Sequence, residues 1–141
     1  MKVYLLALFF VVTLFSGCAI KQTVEPSDID DSALLCIVEN YDVRDSFLKA
    51  LTEILDERQV RYKIVGAEAS KDCEWRMTYT ARWSWDLALY MAYARINVYK
   101  NGDLDGQAIY DATQGAGSLD KFIDAESKLR ELIDELMAKK Q

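Results

Sequence analysis

Three cysteines carry the most reactive side chains of this 141-residue sequence. A thiol can be acylated, oxidised to a disulfide or bound to a metal ion, and the choice depends on the residues around it. The sequence contains no histidine, so the commonest general base and the commonest nitrogen ligand of metals are both missing. The chemistry of the chain therefore depends first on what surrounds Cys18, Cys36 and Cys73.

The segment before Cys18 has the pattern of an export signal. Met1-Lys2 is followed by an apolar run from Val3 to Phe15 and then by the small residues Ser16-Gly17. A short basic start, an apolar stretch and small residues at the end are typical of a secretory signal peptide. The run is shorter than the roughly 20 residues that a membrane-spanning helix needs. We predict a signal peptide over residues 1–17.

The end of this signal, Leu14 to Cys18, resembles a bacterial lipobox. The resemblance implies that Cys18 receives acyl chains such as palmitate and becomes the first residue of the mature protein. An ordinary signal peptide followed by an incidental cysteine is the alternative. Ala19 stands where Asp often signals retention in the inner membrane, so we expect attachment to the outer membrane on its periplasmic face.

Cys36 and Cys73 form an even pair, which in an exported chain predicts a disulfide. Closing the loop between them would contribute roughly 3–4 kcal/mol in the chain-entropy model. Two free buried thiols are the alternative. A metal site at this pair is disfavoured, because no histidine and no further thiol of the domain is there to complete it.

The charge balance excludes one class of partner, and the acids do not suggest a catalytic site. Removing residues 1–17 removes one lysine and no acid, which changes the formal charge from −6 to −7. So acidic a chain has no electrostatic footprint for nucleic acid. Neighbouring acids such as Asp30-Asp31 and Glu131/Glu135 are typical of solvated surface charge, and no serine has an evident base. We expect a protein without cofactor or metal that is not an enzyme.

The remaining pattern predicts one domain over residues 33–141 behind a flexible tether over residues 18–32, where the only proline lies. Apolar runs and helical stripes follow in the order β-α-β-β-β-β-α. Two amphipathic helices would cover one face of a mostly antiparallel sheet, which is a two-layer α+β sandwich. Near Asn101-Gly102 a two-residue turn would mix the two faces of the strands. We therefore predict an odd loop of three or five residues within Asn101–Asp105; the longer version places Arg95 opposite Asp111.

The stretch from Cys73 to Asp86 alternates without exception and predicts a half-buried strand. Its Trp-rich face, which ends at Trp85, is interpreted as core, and an aromatic platform for a small ligand is the alternative. Trp85 is the best candidate for exposure because it lies at the end of the strand. The other face is a candidate binding surface for a partner or an anionic polymer, and a plain solvated face is the alternative. Its residues are Arg76, Thr78, Thr80, Arg82, Tyr93 and Arg95, with Asp111 nearby.

Several blocks of the sequence resemble a family of small uncharacterised proteobacterial outer-membrane lipoproteins. They are residues 36–40, 73–86, 106–110 and 126–136, so the resemblance covers nearly all of the mature chain. It implies export, lipidation and paired cysteines, and it supplies no catalytic residue. The expected function is a non-catalytic binding or assembly module of the cell envelope, with an unidentified envelope protein or polymer as partner. A small-ligand, polymer-binding or inhibitor module is the alternative.

Overall fold

The computed structural model describes residues 20–115 and 118–139, which form one sheet with two helices on one of its faces. Cys18 and the predicted signal peptide lie outside the described residues. The strands are β1 (Lys21–Glu25), β2 (Leu34–Val38), β3 (Arg61–Val65), β4 (Trp75–Asp86), β5 (Ala88–Lys100) and β6 (Asp103–Asp111). The helices are α1 (Asp45–Glu57) and α2 (Ala125–Leu136), and short 3-10 turns cover Ala69–Asp72 and Leu119–Phe122. Neither helix within these ranges is long and apolar enough to cross a membrane.

The sheet is mixed, in the order β1-β6-β5-β4-β2-β3. The strands β2 and β3 pair in parallel around the crossover helix α1, and β2 also pairs in parallel with β4. All pairings among β4, β5, β6 and β1 are antiparallel. The predicted α+β sandwich is therefore confirmed, and the predicted β-α-β-β-β-β-α order is present from β2 onward.

The core lies between the helices and one face of the sheet. Each helix buries the apolar stripe that its 3.6-residue period predicts, and each fully buried large side chain contributes about 1.5–3 kcal/mol. From α1 these are Phe47, Leu51, Ile54 and Leu55, and from α2 Leu129, Leu132, Ile133 and Leu136. They pack against alternate strand residues, among them Leu35, Ile37, Trp75, Met77, Tyr79, Ala94, Ile96 and Tyr110.

The prediction of a flexible tether over residues 18–32 is wrong where β1 forms. This strand pairs antiparallel with β6 along its whole length, from Lys21 opposite Asp111 to Glu25 opposite Gln107. It runs parallel to β5 because β6 lies between them and is antiparallel to both. The domain therefore begins at the edge of the sheet, close to the start of the described chain.

The residues of β1 alternate between core-facing and exposed positions, although few of them are apolar. This low apolar content is why the strand was not predicted. Ile20 and Val24 pack against the core, and Gln22 lies between them in phase. The amide of Gln22 donates to Glu131 Oε1 at 2.8 Å and to Glu135 Oε1 at 3.1 Å on α2. The polar side chain of Gln22 thus occupies a core-facing position at little cost in free energy, because its amide makes hydrogen bonds there.

The prediction of an odd loop between β5 and β6 is also wrong. Asn101 and Gly102 form a two-residue turn with φ values of 51° and 93°, and Lys100 lies opposite Asp103. Positive φ at both central residues is what a tight hairpin turn requires, and Asn-Gly is the favoured pair. The local turn signal was therefore correct.

A β-bulge restores the agreement between the faces. Tyr99 lies opposite Leu104, but Val98 lies opposite Gly106, so Asp105 is one extra residue in β6. Its carboxylate Oδ2 accepts hydrogen bonds from Ser27 Oγ at 2.5 Å and from the Asp28 amide at 2.8 Å. The bulge thus corrects the register and also fastens the segment after β1.

The predicted disulfide between Cys36 and Cys73 is present, with a Cα–Cα distance of 6.2 Å. Cys36 lies in β2 and is buried, and Cys73 follows the 3-10 turn Ala69–Asp72 just before β4. The bond fixes the long connection between β3 and β4 onto the central part of the sheet.

The hairpin of β4 and β5 is the longest in the sheet. A register shift after Arg82 leaves Ala92 as an extra residue of β5, and beyond it the two strands continue to a turn at Leu87. Leu87 has φ of 62°, in the left-handed region. This distal part, from Trp83 to Tyr90, is called the hairpin tip below.

Candidate functional site

Neither α1 nor α2 packs on the second face of the sheet, which we call the open face. The predicted neighbours on it are confirmed, because β4 pairs with β5: Arg82 lies opposite Tyr93 and Thr80 opposite Arg95. The same phase continues into β6. Side chains of the open face on these three strands are Arg76, Thr78, Thr80, Arg82, Tyr93, Arg95, Asn97, Tyr99, Gln107, Ile109 and Asp111.

Three arginines of the open face lie over tyrosine rings. The guanidinium carbons of Arg82 and Arg95 are 5.0 Å and 5.8 Å from the ring centre of Tyr93. That of Arg76 is 4.8 Å from the ring centre of Tyr99. A cation over an aromatic face contributes about 0.5–1 kcal/mol at exposed sites. The rings therefore hold the guanidinium groups in place, while those of the exposed Arg82 and Arg95 remain available as donors.

The positive charge of this surface is only partly balanced. Among the described residues, none of these three arginines takes part in an ion pair. Arg76 Nε is buried and has no hydrogen-bond partner among the residues that the structure describes. Such guanidinium groups are suited to bidentate binding of a carboxylate or phosphate.

The middle of the open face is held by amide hydrogen bonds. Gln107 Nε2 donates to Asn97 Oδ1 at 2.8 Å, and Asn97 Nδ2 donates to the hydroxyl of Tyr99 at 3.3 Å. This chain links β6 to β5 and fixes the ring that supports Arg76. The surface is thus ordered before any partner binds.

Asp111 is the acid of this face on β6, and its environment keeps it ionised. The hydroxyl and amide of Thr113 donate to Asp111 Oδ1 at 2.5 Å and 2.9 Å. These hydrogen bonds, followed by the charges of Lys21 and Arg82, lower its pKa below the ordinary value of 3.8. Because the turn has two residues and not five, Asp111 lies opposite Tyr93, after the one-residue shift at the bulge, and not opposite Arg95. The predicted Arg95–Asp111 pairing is wrong.

The tryptophans divide between core and surface. Trp75 and Tyr79 are buried, which confirms the interpretation of this face as core. Trp83 is half-buried, with its ring edge-on to Phe47 and the guanidinium of Arg44 above it at 5.2 Å. Trp85 is 71% exposed, as its place at the strand end predicted. It lies on the hairpin tip, away from the arginines of the open face.

Comparisons with known proteins identify a fold and no family. The sequence matches no protein-family model and no curated protein. Two solved structures of a PelC dodecamer from Paraburkholderia phytofirmans, one of them a point variant, are similar to this chain. Each has a TM-score of 0.54 at 12% identity, and the matches cover 86% and 87% of this chain and 99% of the PelC chain. At this identity the likeness shows the fold alone.

Sequence reasoning missed part of the open face. Tyr99, Asn97 and Gln107 were not among the predicted site residues, although Tyr99 supports Arg76 and the two amides fix Tyr99. Their signal was the same period of two that placed Tyr93 and Arg95 together. Gln107 needed the register of β6, which depends on the bulge at Asp105.

Proposed function

We propose that this chain is a non-catalytic binding module of the bacterial cell envelope, anchored by a lipid on Cys18 in the outer membrane on its periplasmic face. The open face is its binding surface, and an acidic region of an envelope protein is its partner. The observation that supports this proposal is that three arginines lie over the rings of Tyr93 and Tyr99, although the net charge of the chain is −6.

The electrostatics of Tyr93 favour an anionic partner. Two guanidinium groups lie over this one ring, so two like charges are held near each other. A carboxylate placed between them would relieve their repulsion and accept hydrogen bonds from both. The arginines of the open face attract an anionic partner, and the acidic remainder of the domain repels it. This difference favours one orientation of the partner.

Anchoring would strengthen such a contact. A lipid on Cys18 confines the domain to a thin layer at the membrane, and the effective concentration of a partner in that layer is high. A contact that is weak in solution is then sufficient. This part of the proposal is supported by the signal pattern before Cys18 and by the resemblance to envelope lipoproteins.

We expect the mature protein to begin at an acylated Cys18. Intact-mass and peptide mass spectrometry of protein purified from membranes should find an amino-terminal peptide that starts at Cys18 and carries the mass of the lipid. Treatment with an inhibitor of the lipoprotein signal peptidase should leave residues 1–17 attached. An unmodified Cys18, or cleavage at another bond, would show that the anchor is wrong.

Replacing Arg82 and Arg95 together by Glu should abolish partner binding without unfolding the domain. Loss of charge-assisted hydrogen bonds from two guanidinium groups, plus repulsion, should reduce cross-linked product about tenfold or more. The measurement is cross-linking in intact cells followed by mass spectrometry of the captured protein. Lys49→Glu with Lys139→Glu is the control, since it changes charge equally at exposed positions outside the open face.

Three outcomes of that experiment separate the candidates. Loss of one cross-linked protein with the Arg82 and Arg95 variant alone supports the proposal. Equal yields from both variants contradict it. Cross-links between two copies of this chain would indicate self-assembly, a second candidate that the dodecameric state of the two PelC structures favours.

A further inference from the structure

The hairpin tip concentrates exposed apolar side chains. Five of the nine large apolar side chains that are exposed in the described ranges lie on it or on the 3-10 turn Leu119–Phe122 and the residue after it. They are Trp85 (71% exposed), Leu87 (87%), Leu89 (51%), Leu119 (81%) and Ile123 (42%). Clusters of this kind mark contact with a protein or a membrane.

The 3-10 turn is attached to the tip by specific contacts. The buried amine of Lys121 pairs with Asp86 and lies over the rings of Tyr90 and Phe122. The rings of Tyr90 and Phe122 also meet edge-on, with centres 5.6 Å apart. The two segments therefore form one unit, and the charge of Asp86, next to Leu87 at the turn, is paired within it.

Leu87 is an unusual residue for its position. Its φ of 62° lies in the left-handed region, where Gly, Asn and Asp are favoured and a branched apolar side chain is strained. The side chain is 87% exposed, so burial of its apolar surface does not offset this strain. A strained backbone that displays an apolar side chain to solvent points to a role in contact.

The chain enters the domain from the same end. Lys21 lies opposite Asp111, which lies opposite Tyr93, which lies opposite Arg82. Since β1 runs parallel to β5, away from the tip, Ile20 lies on the tip side of Lys21, where it packs beside Gly115. Cys18 is three residues before Lys21, so at most about 10 Å of extended chain joins the two.

The tip is at least as long as that segment. Leu87 lies five residues beyond Arg82, an overhang of roughly 16 Å at strand rise. Sheet twist between β1 and β4 shortens its projection, so the two lengths are comparable. A Cys18 held at a membrane surface would therefore bring Leu87 and Trp85 to the same plane.

From this placement we propose that the hairpin tip inserts into the lipid bilayer that carries the anchor, with Leu87 in the acyl boundary and Trp85, together with Leu89 opposite it, at the headgroup level. The inference rests on the proposed lipid on Cys18. Trp is favoured at the membrane interface because its ring is apolar and its N–H is polar. With the lipid and the tip both in the membrane, the domain has two contacts and therefore a fixed orientation.

The test is quenching of tryptophan fluorescence by brominated lipid. Acylated full-length protein purified from membranes is reconstituted into phosphatidylcholine vesicles with or without dibrominated chains. The chain has three tryptophans, so we expect brominated lipid to remove up to about a third of the emission, the share of an interfacial Trp85. The Trp85→Phe variant should lose this response, while buried Trp75 and half-buried Trp83 contribute little to it.

Leu87→Asn separates contact from folding. Asn tolerates the left-handed conformation better than Leu, so the thermal midpoint should be no lower than that of the wild type. Quenching of Trp85 should nevertheless fall. Leu104→Asn is the matched control, because Leu104 is 51% exposed, like Leu89, but lies at the opposite end of the sheet. It should leave quenching unchanged.

The outcomes distinguish this inference from the proposed anchor. Mass spectrometry and vesicle flotation report the anchor, and quenching reports the tip. Acylated, vesicle-bound protein whose Trp85 is not quenched would overturn the inference and leave the anchor intact. Absence of quenching with a lower sedimenting mass for Leu87→Asn would assign the tip to a second copy of the chain, and that too would overturn it.

Discussion

Loss of the Cys36–Cys73 disulfide should lower the free energy of unfolding by about 4 kcal/mol and the thermal midpoint by roughly 15 °C. The two cysteines are 37 residues apart in the sequence, so the bond removes a large loop from the unfolded ensemble. It also holds the β3–β4 connection on the sheet. The measurement is urea or thermal unfolding of the mature protein with Cys36→Ala and Cys73→Ala against wild type.

Reductant supplies the control for this result. Dithiothreitol should lower the midpoint of the wild type to that of the double variant and should leave the variant unchanged. The same midpoint for oxidised and reduced wild type would contradict the stabilising role. Cys18 is outside the pair, so its modification is unaffected by either treatment.

Gly106→Ala should cost about 3 kcal/mol, at the upper end of what overpacking causes. A Cβ at Gly106 would lie 2.7 Å from Ser27 Cβ and 2.8 Å from both Ser27 Cα and N. Ser27 cannot move aside easily, because its amide donates to the carbonyl of Leu136 at 2.8 Å and its hydroxyl donates to Asp105. One methyl group would therefore strain the bulge, the segment after β1 and the end of α2 together.

Gly66→Ala is the matched variant for Gly106→Ala. An added Cβ at Gly66 meets no atom within 4 Å, and its φ is not positive. The substitution should be neutral or stabilise by about 0.4–1 kcal/mol through the unfolded state. Equilibrium unfolding in urea measures both. Equal stability for the two variants would show that Ser27 moves aside without cost.

Much of the fold follows from periodicity in the sequence. The alternation from Cys73 to Asp86 predicted β4 and its two faces, because a strand buried on one side must alternate. The helical stripes predicted both helices and the layer that they cover. The disulfide was predicted from the expected export, since an oxidising compartment favours a disulfide.

The wrong predictions have a common physical cause, which is contact between residues that are far apart in the sequence. β1 was missed because its stabilising partners, β6 and α2, are distant in the sequence, and the amide of Gln22 is satisfied there by Lys128, Glu131 and Glu135. The alternation of β5 and β6 agrees with a two-residue turn at Asn101-Gly102 only when β6 contains a bulge. Asp105 provides this bulge through contacts with Ser27 and Asp28, which local pattern cannot show.

The candidate site divides in the same way. The arginines and Tyr93 of the open face could be placed from alternation, because neighbouring strands share it. The contacts of the arginines with the tyrosine rings, and of the amides with Tyr99, can be predicted only when the register of three strands is known. The arginines and Tyr93 were predicted, whereas Tyr99 and the two amides that support it, Asn97 and Gln107, were not.

During the proposed export, the pairing of β1 with β6 sets an order of events. A chain that crosses a membrane amino terminus first presents Lys21 long before Asp111, its partner in the ladder. Contacts between residues so distant in sequence form late, because a large loop must close first. β1 therefore docks last and completes the edge of the sheet.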